Sequence, residues 1–402
     1  MVRCNAVWTV PSAILEALLC KKVQEIREGV LTCKSSFANT PAQSAQFVAG
    51  YQKAQRETSI VNSTFNFGSI FRSLVAFSVL TVGLSGAASA QSSDKIIMKL
   101  GHTLAPNNHY QLTALQFAKA VSEKSNGKIE VQIFPQSQLG GEVQMTQALR
   151  TGTQEIMISG QAAMVNTIKQ WEIFDIPYLF GSVDEANRIM QGPVGKVFMD
   201  MMLPYNMVGL AWISVGERNL FTSKKTLQSL NDMKDMKVRV MQSPGYIAGY
   251  KALGANPTPL AYNQVFLALS QGLVDGADTS PEQFIQDKFS DVAKHYYMTH
   301  VNYLPVVLAV SKATWDKLTP DLQKAMQDAA KEAAQFDVKE YRKEYDEALA
   351  QMKILGVQVT DVDTKPWAAA TESVRSEMIA KVPDGAALYQ QISAAKASGA
   401  GK

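Results

Sequence analysis

From Lys95 onward the chain alternates short apolar strands with amphipathic helices, and that rhythm limits the possible folds more than any other feature. Residues 96–100 form an apolar run. Residues 110–124 carry Leu112, Leu115, Phe117, Ala118 and Val121 at helical spacing and stop at Asn126-Gly127. Ile129, Val131 and Ile133 then alternate as a strand up to Pro135, and a helix opens after Gly140-Gly141 at Glu142 and runs towards Gly152. Residues 155–159 read as a buried strand. Strand, helix, strand, helix, strand implies an α/β fold whose largely parallel sheet is covered on both faces. Residues 184–191 and 195–203 continue the pattern as helices and 208–215 as a strand. Near Gly216 the chain is predicted to cross into a second sheet that holds Arg218, a strand at 237–241 and a strand end at 276–278. Residues 303–310 read as a return strand, so the hinge between two lobes would be made of strands.

One helix must serve both lobes. Thr319-Pro320-Asp321 is a helix start, with Thr as N-cap, Pro at the first position and an acid in the first turn. A helix from there to Leu355 would be about 50 Å long, longer than a small domain is wide. Its apolar face, Leu322, Met326, Ala329, Ala333, Phe336, Tyr341, Tyr345, Leu349 and Met352, would then lie along both lobes. The alternative is two helices broken near 335–337.

Residues 237–281 hold the most informative cation. Val238 and Val240 flank Arg239 in a short β-branched run, so alternation puts Arg239 on the opposite face, and Pro244-Gly245 ends the strand just beyond. An arginine there points into a strand-to-helix mouth, where open α/β sheets bind ligands. A planar guanidinium holds a carboxylate by two parallel hydrogen bonds, although an arginine can equally pair with an acid of its own chain to pin a loop.

Several segments from about Lys95 to Leu355 together resemble a known family. They are Phe134-Pro-Gln-Ser-Gln-Leu-Gly-Gly, Phe174-Asp-Ile-Pro-Tyr-Leu-Phe, Gly216-Glu-Arg-Asn-Leu-Phe-Thr-Ser, Met236-Lys-Val-Arg-Val, Leu253-Gly-Ala-Asn-Pro-Thr-Pro-Leu-Ala and Gly272-Leu-Val-Asp-Gly-Ala. In that order and spacing the chain resembles the periplasmic solute-binding protein of a TRAP (tripartite ATP-independent periplasmic) transporter, of the dicarboxylate-binding DctP type. The resemblance implies a two-lobed periplasmic binding protein fold, each lobe a mainly parallel sheet flanked by helices, joined by hinge strands and a long helix spanning both. It implies a monomeric receptor without catalysis or cofactor, which takes an organic acid anion in the periplasm and delivers it to separate integral membrane permease subunits.

The same resemblance assigns the site. Arg239 matches the arginine that pairs with the ligand carboxylate, and Arg218 matches a second arginine lining the cleft. Two guanidiniums facing one cavity repel, so an empty cleft would be held open. Gln242 and Tyr262 match pocket-lining positions, with packing an equal reading for Tyr262. Asp278-Thr279-Ser280 stands where relatives carry Glu-Asn, placing Asp278 and Thr279 at the site but leaving the ligand undetermined. From the first lobe, the 103–109 segment with Thr103 and His109, and the Ser159-Gly160-Gln161 loop, would face the cleft. Gly160 and Ala163 offer no charge where sialic-acid-binding relatives carry ionisable groups, which argues against a large polyhydroxylated sugar acid. Trp171, Trp212 and Tyr262 would supply an aromatic wall unless the tryptophans are core. A small hydroxy, keto or aromatic monocarboxylate, or a C4 dicarboxylate, fits that reading.

Charge and cysteine placement narrow the class further. All three cysteines, Cys4, Cys20 and Cys33, precede residue 34, so the main body has no thiol to pair in an oxidising compartment. The first 90 residues hold 8 of the 39 Lys+Arg and 4 of the 36 Asp+Glu, leaving the remainder at about −1, with no basic stripe for nucleic acid. Phe71-Arg72, an apolar run from Ser73 to Leu84 and Ala88-Ser-Ala90 read as a signal peptide over 67–90, or else as an uncleaved anchor. Residues 1–66 are an unassigned extension, as from a start site placed too early. The lobes are predicted at 91–215 with 305–340, and 216–304 with 341–392, followed by a flexible tail at 393–402. His-Glu-x-x-His, Gly-x-Ser-x-Gly, a phosphate loop and Gly-x-Gly-x-x-Gly are all missing, which argues against a catalytic or cofactor site. The rivals are the receptor of an ATP-driven importer or sensor, and a periplasmic carboxylate-acting enzyme.

Overall fold

The computed structural model describes residues 95–399; the predicted signal peptide and the extension before it lie outside them. β1 (Ile96–Gly101) pairs in parallel with β2 (Ile129–Phe134) and β3 (Ile156–Gly160), and the helices His109–Lys124 and Glu142–Thr151 make the crossovers. β4 (Met207–Thr222) carries the chain from this first lobe into the second. There β5 (Lys237–Val240) lies between β6 (Asn256–Pro259) and β7 (Gly276–Thr279), again in parallel. β8 (His295–Ser311) returns, and β9 (Gln358–Asp361) pairs beside it. The two prolines of β6 are tolerated because it is the edge strand, where a missing N–H costs no ladder bond.

The predicted crossing near Gly216 is a bend inside continuous strands. The strand order is β2-β1-β3-β8-β4-β7-β5-β6, a single hydrogen-bonded sheet. β8 pairs with β3 from Ile156↔Val310 to Gly160↔Val306, while β4 pairs with β7 from Asn219↔Thr279 to Thr222↔Gly276. Between these ends the β4–β8 register slips at Gly209/Ala211, Ile213/Gly216 and Arg218/Leu220. Bulges bend and twist a strand pair, so the two lobes meet at these slips. His300, in the left-handed region at φ 47°, lies in the same stretch.

The helix Pro320–Ile354 is unbroken and spans both lobes. Met326, Ala329, Ala330 and Ala333 pack with Phe117 and Val121 in the first lobe, and Met352 packs with Phe221, Phe284 and Phe289 in the second. Midway along it lies a fully buried acid, Asp337. That acid does not break the helix because three donors satisfy it: His109 Nδ1 at 2.8 Å, Thr113 Oγ1 at 2.6 Å and the Ser214 amide at 2.5 Å.

The C-terminal segment departs from expectation. Trp367 joins the second-lobe core of Val238, Val240, Tyr246 and Tyr250, but Val374, Met378, Leu388 and Ile392 pack into the cluster of Trp171 and Trp212. Residues 372–392 therefore pack against the first lobe as well as against the helix Pro244–Ala252 of the second. The tail predicted at 393–402 is helical to Gly399, held where Arg188 Nη1 donates to the Ala395 carbonyl at 2.9 Å and Lys396 Nζ to the Leu179 carbonyl at 2.5 Å.

Candidate functional site

Val238 and Val240 are wholly buried in the second-lobe core, which sends the intervening Arg239 to the other face of β5. Arg239 is itself only 3% exposed. Its Nε and Nη2 donate to one acceptor, the Leu260 carbonyl, at 3.1 and 2.8 Å, while Nη1 is buried with no partner among the described residues. The Tyr262 ring centroid lies 5.8 Å from Cζ, within cation–π range. One edge of the guanidinium is thus anchored, and the Nη1–Nη2 edge remains for a carboxylate. Burial holds its pKa below the ordinary arginine range, with Asp278 opposing the fall and Arg218 adding to it. An arginine nonetheless stays charged at neutral pH.

Arg239 lines a narrow cavity between the lobes together with Gln242 and Tyr262. Gln242 lies at its rim, and its backbone carbonyl accepts from Asn166 Nδ2 at 3.5 Å. Tyr262 donates its hydroxyl to Asp287 Oδ2 at 2.5 Å, and burial pushes Asp287 up to about 6 against that hydrogen bond. Tyr262 therefore both packs and lines the site. The opposite wall comes from the first lobe: Glu142, Val143, Gly160, Ala162 and Ala163. Glu142 escaped the sequence reading, although an acid directly after Gly140-Gly141, at a helix start facing the strand ends, is the signal that could have found it.

Arg218 does not face the cavity as a second free cation. It is 1% exposed and is held by Asp278, with Nε to Oδ2 at 3.2 Å, Nη2 to Oδ1 at 3.0 Å and a further bond to the Asp278 carbonyl. Burial opposes its charge, and the facing Asp278 more than restores it. The predicted repulsion between two open guanidiniums is therefore quenched by a carboxylate of the chain itself. Thr279 is likewise occupied internally, its hydroxyl donating to Gln283 Oε1 at 2.7 Å.

The remaining first-lobe assignments move away from the cleft. Trp212 is core, its indole N–H on the Gly195 carbonyl at 2.8 Å and its ring 5.1 Å from that of Trp171. Neither tryptophan lines the cavity. His109 is buried under the long helix, where burial lowers its pKa but Asp337, with Glu282 and Glu344, more than offsets this and leaves it raised. Thr103 is buried at the end of β1 and lies outside the cavity. Gln161 donates Nε2 to Asp175 Oδ1 at 2.8 Å, and Ser243 from the second lobe also donates to Asp175. Burial pushes Asp175 up to about 7 despite both donors.

A larger groove lies at the hinge, lined by Tyr178, Tyr303, Tyr341, Tyr345, Glu217 and His300 among others. Its cations are engaged already: His300 Nδ1 with Glu217 at 2.8 Å, and Arg342 with Asp184. An acid anion needs a cation with unspent N–H groups, and Arg239 supplies that.

The model of the bacterial extracellular solute-binding protein family 7 (DctP) matches residues 100–382. The chain belongs to that family. A solute-binding protein of Verminephrobacter eiseniae is 31% identical over 76% of this chain and 91% of its own length. A TRAP periplasmic solute-binding protein of a Polaromonas species, solved with bound D-erythronate, superposes with a TM-score of 0.72 at 32% identity, covering 75% of this chain and 99% of its own. Another from Citrobacter koseri, with bound D-glucuronate, gives 0.71 at 30% identity over 74% and 98%. The family 7 chain is therefore a two-lobed solute receptor, and among its described residues no helix is long and apolar enough to cross a membrane.

Proposed function

We propose that this receptor works in the periplasm as a monomer. It captures a hydroxylated organic acid anion, closes both lobes on it and delivers it unchanged to TRAP permease subunits. Residues 67–90 serve as its export signal. The observation that carries the reading is Arg239, a cation buried between the lobes with one edge tied to Leu260 and Nη1 unspent. A carboxylate placed there gains two charge-assisted bonds in a site from which closure excludes water. The ligands of the Polaromonas and Citrobacter relatives, D-erythronate and D-glucuronate, support a hydroxylated acid over a plain one. Gly160 and Ala163 carry no charge, but Glu142 beside them supplies an ionisable group to the same wall.

Titration calorimetry of the purified protein with D-erythronate, D-glucuronate, lactate and succinate tests the reading. At least one hydroxylated acid binds in the micromolar range or tighter and is recovered chemically unchanged. Absence of binding across the panel, or conversion of the bound acid, overturns it.

A further inference from the structure

Glu142 has a single structural task, and that task occupies only one of its oxygens. Oε1 accepts from the Gly160 amide at 3.0 Å and from the Ser159 hydroxyl at 3.1 Å, which fixes the carboxylate against the end of β3. Oε2 accepts no hydrogen bond among the described residues and, unlike Arg239 Nη1, is not fully buried. Capping of its own helix falls to a neighbour, since Gln144 Oε1 accepts the Gly141 amide at 2.9 Å. Glu142 lines the same cavity as Arg239, and among the described residues no ion pair joins the two, which stand on the first-lobe and second-lobe walls. Burial lifts the Glu142 carboxyl above the usual carboxylate pKa range, and Gly160, Ser159, Arg239 and Arg218 oppose that rise.

We infer that Glu142 is the specificity-determining residue of the cleft, accepting a hydroxyl of a monocarboxylate held on Arg239 and rejecting a second carboxylate. This rests on the receptor reading above. A carboxylate can only accept hydrogen bonds, so its natural counterpart across the cavity is an O–H donor. A second carboxylate brought to the same place meets like charge in a desolvated setting, where such juxtaposition is strongly unfavourable. The cleft is thus polarised: a positive wall from the second lobe, a negative wall from the first, and a ligand with an anionic end and a hydroxyl end between them. A solute that bridges them ties both lobes together, whereas a dicarboxylate satisfies one wall and opposes the other.

D-Erythronate and meso-tartrate separate the two chemistries cleanly, because they differ only in a terminal CH₂OH replaced by a carboxylate. Calorimetry of the wild-type protein should favour D-erythronate by about 100-fold or more, the tenfold steps that follow from a like-charge penalty of several kcal/mol. Glu142→Gln retains an oxygen for Gly160 and Ser159 but removes the charge. It should weaken D-erythronate and strengthen meso-tartrate, narrowing the preference to about tenfold or less. Glu142→Asp keeps the charge on a shorter arm and should still reject meso-tartrate while losing affinity for D-erythronate. A wild-type preference for meso-tartrate overturns the assignment without any variant. So does an unchanged ratio in a folded Glu142→Gln protein that binds D-erythronate. If the wild type binds neither acid nor any other in the panel, the receptor reading itself has failed.

Discussion

Arg218 and Arg239 lie in the same lobe, are 1% and 3% exposed, and each feels the other's charge, yet the fold treats them in opposite ways. Arg218 is closed within the chain, clasped by both oxygens of Asp278 across neighbouring strands β4 and β7. Arg239 is offered a single backbone carbonyl and keeps a buried Nη1 without a partner. A buried charge that the chain neutralises is architecture; one it leaves half-satisfied beside a cavity has hydrogen-bonding capacity to offer a ligand. Asp278 links the two regions, because by cancelling Arg218 it lets Arg239 carry its charge in a dry site without a second open cation beside it.

The difference can be broken from the architectural side first. Asp278→Asn leaves Arg218 buried without a counter-charge and should destabilise the protein by about 3 to 5 kcal/mol in urea denaturation. A loss well under that would mean Arg218 finds water or another acid. Asp337 belongs to the same self-neutralised class, since His109, Thr113 and Ser214 all donate to it, and the facing charge of His109 and these hydrogen bonds hold its carboxyl below the usual range against the effect of burial. Asp337→Asn should lower stability by about 1.5 to 3 kcal/mol, read from the same denaturation experiment.

Asp175 gives a pH test with the opposite sign. Its folded value is raised to about 7 by burial, so the folded state holds a proton that the unfolded chain releases near 4. The stability it contributes is complete below about 4 and is lost as the pH rises through about 7. Thermal unfolding between pH 5 and 8 should accordingly show a steeper fall with rising pH in the wild type than in Asp175→Asn, and parallel curves would refute this. The smallest effect is expected at Tyr262. Tyr262→Phe removes the hydroxyl bond to Asp287 but keeps the ring near Arg239, and should cost about 1 kcal/mol of stability. Ligand affinity should change little, which calorimetry checks.

Much of the frame was legible because it depends on local pattern. The strand–helix rhythm, the Thr-Pro-Asp helix start and the placing of Arg239 between two valines all follow from neighbours in sequence. What sequence could not supply were partners brought from afar. Asp278 reaches Arg218 across 60 positions, through a strand register that no single-sequence pattern specifies. Glu142 meets Arg239 only because the two lobes face each other. The sequence around Asp337 permits a broken helix because its donors come from two distant segments, His109 and Thr113 on one helix and Ser214 on β4. Trp212 lies in the core because its N–H has a partner in the Gly195 carbonyl, a contact that periodicity does not reveal. The family resemblance carries over residue types but not their pairing, which is why it implies an open Arg218 where the structure has Asp278 clasping it.

The central claim is that Arg239 is reserved for the ligand and Arg218 for the fold. Calorimetry with D-erythronate, paired with urea denaturation of the same Arg239→Met preparation, tests it most directly. Affinity should fall by about 2 to 4 kcal/mol, roughly 30- to 1000-fold, while stability changes by less than it does in Asp278→Asn. Undiminished affinity in folded Arg239→Met, or a loss of stability as large as that of Asp278→Asn, would contradict the account.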